Sequence, residues 1–247
     1  MRILVVNVNT TESMTRTIGD QARAVAGPDT EIVELTPYFG ADSVEGNFES
    51  YLAAVAVLDR VLAYPEPFDA VIQAGFGEHG REGLQEVLDV PVVDITEAAA
   101  HFAYLLGYRY SVVTTLDRTV PLIEERLLLS GVHSHCASVR SSGMSVLELE
   151  GDPEIVTSTI AAEAAAAITQ DGAEVIVLGC GGMAGLDSKV RELTGAPTVD
   201  GVAAAVKIAE DLVQLGLTTS KVRTYATPRH KTVRNWPLHE SLGRNDR

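Results

Sequence analysis

The order of apolar runs, glycines and helical periodicities in this 247-residue chain predicts an α/β protein of two similar lobes. Each lobe is expected to be a parallel sheet flanked by helices, with a cleft between the two. Three observations carry this. The strand candidates are continuous apolar runs, as suits parallel strands buried on both faces. They alternate with segments whose apolar residues recur at helical spacing. One motif is also written twice, as Val71-Ile72-Gln73-Ala74-Gly75-Phe76-Gly77 and as Ile176-Val177-Leu178-Gly179-Cys180-Gly181-Gly182. Each copy reads as a buried strand that breaks into a glycine turn. Pro91-Val92-Val93-Asp94 follows the first copy and Pro197-Thr198-Val199-Asp200 the second. An offset of 105 residues aligns Gly75 with Cys180, and 106 aligns Asp94 with Asp200. The chain therefore reads as a duplicated lobe with pseudo-two-fold symmetry.

In order, residues 3–8 form a continuous apolar strand, and Asn9-Thr10-Thr11-Glu12-Ser13 supplies N-cap chemistry for a helix to about Val25. Residues 30–35 read as a strand and 48–64 as a helix. A strand at 70–74, a short helix at 80–88, a strand at 92–95 and a helix at 97–106 complete the first lobe. The second lobe has a strand at 110–115, a helix at 120–129, an Ala-rich helix at 154–170, a strand at 175–178 and a closing helix at 202–215. Lobe boundaries are expected at 1–107 and 108–220, with the final helix free to pack on the first lobe. Residues 221–247 differ in composition, holding seven Lys or Arg against two acids and the only tryptophan, Trp236. A basic tail lying on its own acidic body, or on a neighbouring subunit, is the expectation.

The formal charge of −15 argues against nucleic acid and anionic membrane surfaces as partners. No apolar stretch approaches the roughly 20 residues of a membrane span, and the N-terminus enters a strand at once, unlike a signal peptide. Two cysteines cannot build a disulfide framework or, alone, a metal site. A cytoplasmic protein with free thiols, no metal and no cofactor is expected, acting on a small molecule and assembling as a homo-oligomer.

Ligands of parallel α/β sheets bind beyond the C-terminal strand ends, where Asn7, Asn9, Gly75, Phe76, Gly77, Thr114, Thr115, Cys180, Gly181 and Gly182 fall. Cys180 sits between glycines at the start of a turn, where a helix dipole and bare N–H groups are expected to lower its pKa below the roughly 8.5 of a free thiol. Asn9, Thr114 and Thr115 are candidate side-chain donors, and the glycine turns candidate backbone donors. His79 and Glu78 extend the first turn and are possible accessory acid/base groups. Cys136, in Gly131-Val132-His133-Ser134-His135-Cys136, is read as a half-buried strand cysteine rather than a metal ligand. Phosphate-binding glycine signatures are absent from every strand end.

At these residues the chain resembles the aspartate/glutamate/hydantoin racemase superfamily, most closely the hydantoin and allantoin racemases. The resemblance runs to about Lys221 and rests on Asn7–Thr10, Val44-Glu45-Gly46-Asn47-Phe48, Phe76-Gly77, residues 92–98, Thr114-Thr115-Leu116, residues 178–183 and the end of the last helix. It implies cofactor-free proton transfer at the carbon α to a carbonyl, with two cysteines on opposite faces of the substrate and backbone donors for the enolate oxygen. The family's first cysteine stands in Ala-Cys-Phe-Gly-Asp-Pro-Gly, whereas this chain reads Ala74-Gly75-Phe76-Gly77-Glu78-His79-Gly80. Cys180 matches the second cysteine and is the expected acid/base. The other face is left to His79, to Glu78, or to water in the space that Gly75 leaves open, with water the expected relay. On that geometry Gly75→Cys is expected to raise racemase activity. Two alternatives stay open: a cofactor-free decarboxylase of a malonate-type acid with Cys180 as sole proton donor, as in arylmalonate decarboxylases, and a binding protein that has lost catalysis.

Overall fold

A computed structural model describes residues 1–77 and 79–232. The first sheet contains β1 (Arg2–Val6), β2 (Glu31–Leu35), β3 (Ala70–Gln73) and β4 (Val92–Asp94), all parallel in the order β2-β1-β3-β4. Its helices are α1 (Glu12–Val25), α2 (Asn47–Leu62), α3 (Arg81–Val87) and α4 (Ile95–Leu106). The second half repeats the plan with β5 (Tyr110–Thr114), α5 (Val120–Leu129), β6 (Cys136–Ser141), α6 (Pro153–Ala166), β7 (Val175–Leu178), α7 (Asp187–Thr194), β8 (Thr198–Asp200) and α8 (Gly201–Gln214). That sheet is also parallel, in the order β6-β5-β7-β8. The two orders are the same, so the duplicated motif becomes two equivalent strand ends, after β3 and after β7.

Alternate residues of β1 explain why its sequence is apolar throughout. Ile3 and Val5 enter a core shared by both sheets, whereas Leu4 and Val6 face α2 and α3. The shared core also takes Tyr110, Val112 and Val177 from the second sheet and the small inner faces of α4 and α8. The helices cross over: α4, which follows β4, lies against β7 and β8, while α8, which follows β8, lies against α1, β3 and β4. The repeated Val-Asp pair explains both starts. Asp94 accepts from Glu97 N (2.8 Å) to cap α4, and Asp200 accepts from Val202 N (2.7 Å) and Ala203 N (3.0 Å) to cap α8.

Three differences from the sequence expectation have physical causes. The Ala-rich helix ends at Ala166, where one π turn (Ala167–Asp171) takes over and delivers Asp171 to Ser138 (2.6 Å) and Arg140 (2.5 Å). Strand β6 is the sheet edge, and all six of its residues are only half-buried, so no apolar run announces it. Helix α7 buries only Val190, so it lacks a strong apolar stripe. After α8 the chain returns to the first lobe. Thr219 binds Asp89 O (2.9 Å) and Val90 O (2.7 Å), and Lys221 Nζ reaches the last carbonyls of α3 at Gln85 (2.7 Å) and Glu86 (3.1 Å). Trp236 and the rest of the basic tail lie outside the described residues. Among the described residues no helix is long and apolar enough to cross a membrane.

Candidate active site

The two glycine turns and the end of β1 meet at one cleft, lined among others by Asn7, Asn9, Gly75, Phe76, His79, Thr114, Thr115, Cys180, Gly181 and Gly182. Its open space is about 450 Å³. A second hollow of about 760 Å³ adjoins it, sharing Val44, Phe76, His79 and Thr119 and adding Gly77, Glu45, Asn47 and Arg126. Of the candidates named from the sequence, Gly77 falls in the outer hollow alone and the others border this cleft, while Glu78 lies outside the described residues.

Cys180 follows β7 and starts a 3₁₀ turn (Gly181–Met183), with Gly182 N donating to its Sγ at 3.4 Å. The expected lowering of its pKa is overturned. Burial pushes the thiol up to about 11, against the hydrogen bonds from Gly182 and Met183, and the Glu45 carboxylate adds to the rise. A three-residue turn carries too little aligned dipole to offset desolvation. At neutral pH Cys180 is a thiol, a proton donor in its resting form. The glycine after it answers to packing: a Cβ at Gly181 would stand 2.5 Å from Ala74 O, so the strand ends of the two lobes touch through this residue.

The space beside Gly75 is filled, which corrects the expectation of a water-sized opening. A Cβ there would collide with His79 Cδ2, and would lie 2.5 Å from Val8 Cγ1 and 2.7 Å from Gln73 Nε2. Gly80, at φ 96°, turns the chain so that α3 can begin, and the His79 ring folds back over the turn. His79 is buried, its Nδ1 stands 3.0 Å from Ser50 Oγ, and its ring also hydrogen-bonds the Phe76 backbone. Burial lowers its pKa to about 4, with the Phe76 bond opposing. The imidazole is thus neutral at pH 7.

Several expected donors are already committed. Gly77 N donates to Thr96 Oγ1 (2.8 Å), and Thr114 Oγ1 donates to Gly179 O (3.0 Å) and contacts Thr119 Oγ1 (3.3 Å). Thr96 and Thr119 were not singled out by the sequence, because a threonine buried beside a turn carries no signature of its own. Asn9 is oriented for service. Its Oδ1 accepts from Asn7 Nδ2 (2.7 Å) and Thr11 N (3.0 Å), which turns its amide N–H₂ toward Met14 Sδ (3.2 Å) and the cleft. Thr115 lines the cleft while its carbonyl holds Gly143 N (2.9 Å).

Cys136 lies elsewhere, on β6, with Sγ against Ser138 O (3.4 Å) and burial pushing its pKa up to about 12. Its neighbour His135 lies against Tyr104, with ring centroids 4.2 Å apart and planes tilted by 45°, and pairs with Tyr108 O (3.0 Å).

Beyond the cleft wall, Arg126 of α5 is buried and crosses between lobes. It binds Asp94 Oδ2 (2.8 Å), Glu82 Oε1 (2.7 Å) and Glu97 Oε1 (3.2 Å), while Arg81 binds Glu97 Oε2 (2.6 Å). This network holds α3, α4 and α5 in register behind the His79 turn.

The family model described as Asp/Glu/Hydantoin racemase matches residues 3–209. A hydantoin racemase from Pseudomonas sp. (strain NS671) is 37% identical over 246 residues, covering 99% of this chain and 98% of the relative. Among solved structures, an allantoin racemase from Pseudomonas fluorescens is 73% identical with a TM-score of 0.93, covering 94% of this chain and 99% of that one. An allantoin racemase from Klebsiella pneumoniae is 40% identical with a TM-score of 0.94, covering 98% of each chain.

Proposed function

This chain belongs to the Asp/Glu/hydantoin racemase family and is a hydantoin-racemase-like isomerase, and on that premise we propose that it inverts the carbon α to a carbonyl in a neutral cyclic ureide. Allantoin is the first substrate to test and 5-substituted hydantoins the second, since similar proteins carry those names. The observation that carries the reading is the meeting of two equivalent strand ends at one cleft, one bearing the Cys180 thiol and the other bare Gly75. None of the described residues lining that cleft is a lysine or arginine. In the adjoining hollow Arg126 is held by Asp94, Glu82 and Glu97, so a substrate carboxylate would meet no uncommitted counter-charge, which favours a neutral ring over a malonate.

In this reading Cys180 serves one face of the substrate and Glu78 the other. The assignment of Glu78 is by chemistry and sequence: it is the carboxylate between Gly77 and His79, and both of those border the substrate space. His79 is the poorer base, since its ring is tied to Ser50 and Phe76. For one enantiomer the carboxylate takes the proton from carbon, and the electron pair moves onto the carbonyl oxygen. The Cys180 thiol then returns a proton to the opposite face. The reverse enantiomer uses the thiolate and the carboxylic acid so generated, so the pair shares one proton and no co-reactant is consumed. Backbone N–H groups of Gly75, Phe76 and Gly181, with the Asn9 amide and the Thr115 hydroxyl, receive the developing oxyanion.

The test is optical rotation of single-enantiomer allantoin and of a 5-alkyl hydantoin, with arylmalonate supplied in parallel. Racemisation of either ureide, lost in Cys180→Ser, is expected. Carbon dioxide release from arylmalonate without racemisation would replace this reading with the decarboxylase.

A further inference from the structure

Two surface segments border the cleft, one from each lobe, and the Glu45 side chain joins them. The first, residues 41–46, is pinned to the end of β1. Thr10 N reaches Ala41 O (2.9 Å), and Thr11 Oγ1 donates to Asp42 O (2.7 Å). The second, residues 142–150, leaves β6. Ser142 N binds Thr114 O (2.8 Å), and the Glu148 carboxylate accepts from Ser145 N and Oγ, both at 2.7 Å. Each segment sends one valine into the cleft, Val44 from the first and Val146 from the second. Between them Glu45 Oε1 accepts from Val146 N at 2.8 Å, a half-buried bond spanning 101 residues of sequence. Behind the second segment Leu149 packs down on the turn that carries Cys180, its Cδ1 standing 2.9 Å from where a Gly182 Cβ would be. Opening this bond would part the two segments whose valines line the cleft with Cys180.

We propose that Glu45 is a positioning residue whose carboxylate latches the two lobes' roof segments together through Val146 N–H, closing the cleft over the substrate. The carboxylate takes no proton from substrate, and the latch it makes through the roof is separate from its charge effect on Cys180. The bond is charge-assisted and shielded, so its loss is felt more than that of an exposed pair. Closure excludes water and presses Val44 and Val146 on the ring, which places the effect in substrate retention.

Two variants separate the latch from a merely structural role. Glu45→Ala removes the acceptor; Glu45→Gln keeps an amide oxygen in the same place. Hydrogen exchange followed by mass spectrometry needs no substrate and is read on peptides covering 41–46 and 142–149. Glu45→Ala is expected to speed exchange in both peptides and to raise KM about tenfold, with kcat moved less. Glu45→Gln is expected to restore both exchange and KM. It is judged on these two readouts, since removing the charge that faces Cys180 acts on the chemical step. The KM arm rests on the ureide racemase reading; the exchange arm does not, so the two can fail separately. Unchanged exchange in Glu45→Ala overturns the latch. So does a Glu45→Gln protein as impaired as Glu45→Ala, or faster exchange with KM unmoved on a substrate the wild type turns over.

Discussion

Cys180 and His79 show how burial, rather than sequence neighbourhood, sets the chemistry of a side chain. The glycines around Cys180 suggest an activated thiolate, yet desolvation outweighs the turn's N–H groups and pushes its pKa up to about 11. Because the folded value lies above the free one, the thiolate fraction stays small through neutral pH and grows only as pH approaches 11. Iodoacetamide labelling followed by peptide mapping should therefore show the Cys180 rate still climbing above pH 9.5. A plateau reached by pH 9 would contradict the assignment. Gly75 makes a second prediction. The His79 ring occupies the volume a side chain would need, and Ser50 holds that ring in place. Gly75→Cys alone should cost about 1–3 kcal/mol by overpacking, read by thermal or urea unfolding, and should not raise activity. Adding His79→Ala should recover part of that cost, so the two substitutions should be non-additive in a double-mutant cycle. Additive losses would mean the ring is not what fills the space. The sequence made Cys180 legible because a thiol between glycines at a strand end is rare. It named His79 as an accessory group but could not show that the ring fills the space beside Gly75, because that position depends on Ser50, distant in sequence, and on the left-handed turn at Gly80.

At the scale of elements, the strands announced by unbroken apolar runs are the ones with both faces buried, as β1, β3, β5 and β7 are. Periodicity likewise located α1, α2, α4, α5, α6 and α8, because each buries a stripe. Edge strand β6 is legible only through Cys136, read as a half-buried strand cysteine, and polar helix α7 not at all, since neither buries a continuous face. The repeated Val-Asp pair was visible, but its purpose emerges only in the structure. Each aspartate caps the helix that crosses to the other lobe, and Asp94 also receives Arg126. Removing one partner of that buried pair strands the other. Arg126→Ala should lower unfolding free energy by about 3–5 kcal/mol, and Asp94→Ala should cost at least as much because it also loses a cap. Chemical denaturation measures both. A change under about 1 kcal/mol for either would show that the network is solvated and contributes as a surface pair does.

Over the whole molecule, duplication supplies the architecture and divergence supplies the asymmetry. Two sheets of the same order share one core through crossed helices, so their equivalent strand ends are held against each other, Gly181 on Ala74. The repeat made the pseudo-symmetry readable, whereas the crossing of α4 and α8 follows from tertiary packing and left no mark in the local pattern. A racemase needs a proton carrier on each face of a planar intermediate, and the two proposed here are Cys180 and Glu78. The most direct test of that claim is the early course of the reaction in D₂O, starting from one enantiomer of allantoin and following carbon-bound hydrogen by NMR with chiral separation, against the uncatalysed rate. With two carriers, the product enantiomer should hold deuterium while the remaining substrate stays protiated, and Cys180→Ser and Glu78→Gln should each slow turnover roughly 100-fold or more. Deuterium entering recovered substrate as fast as product, or full racemisation surviving in either variant, would contradict it.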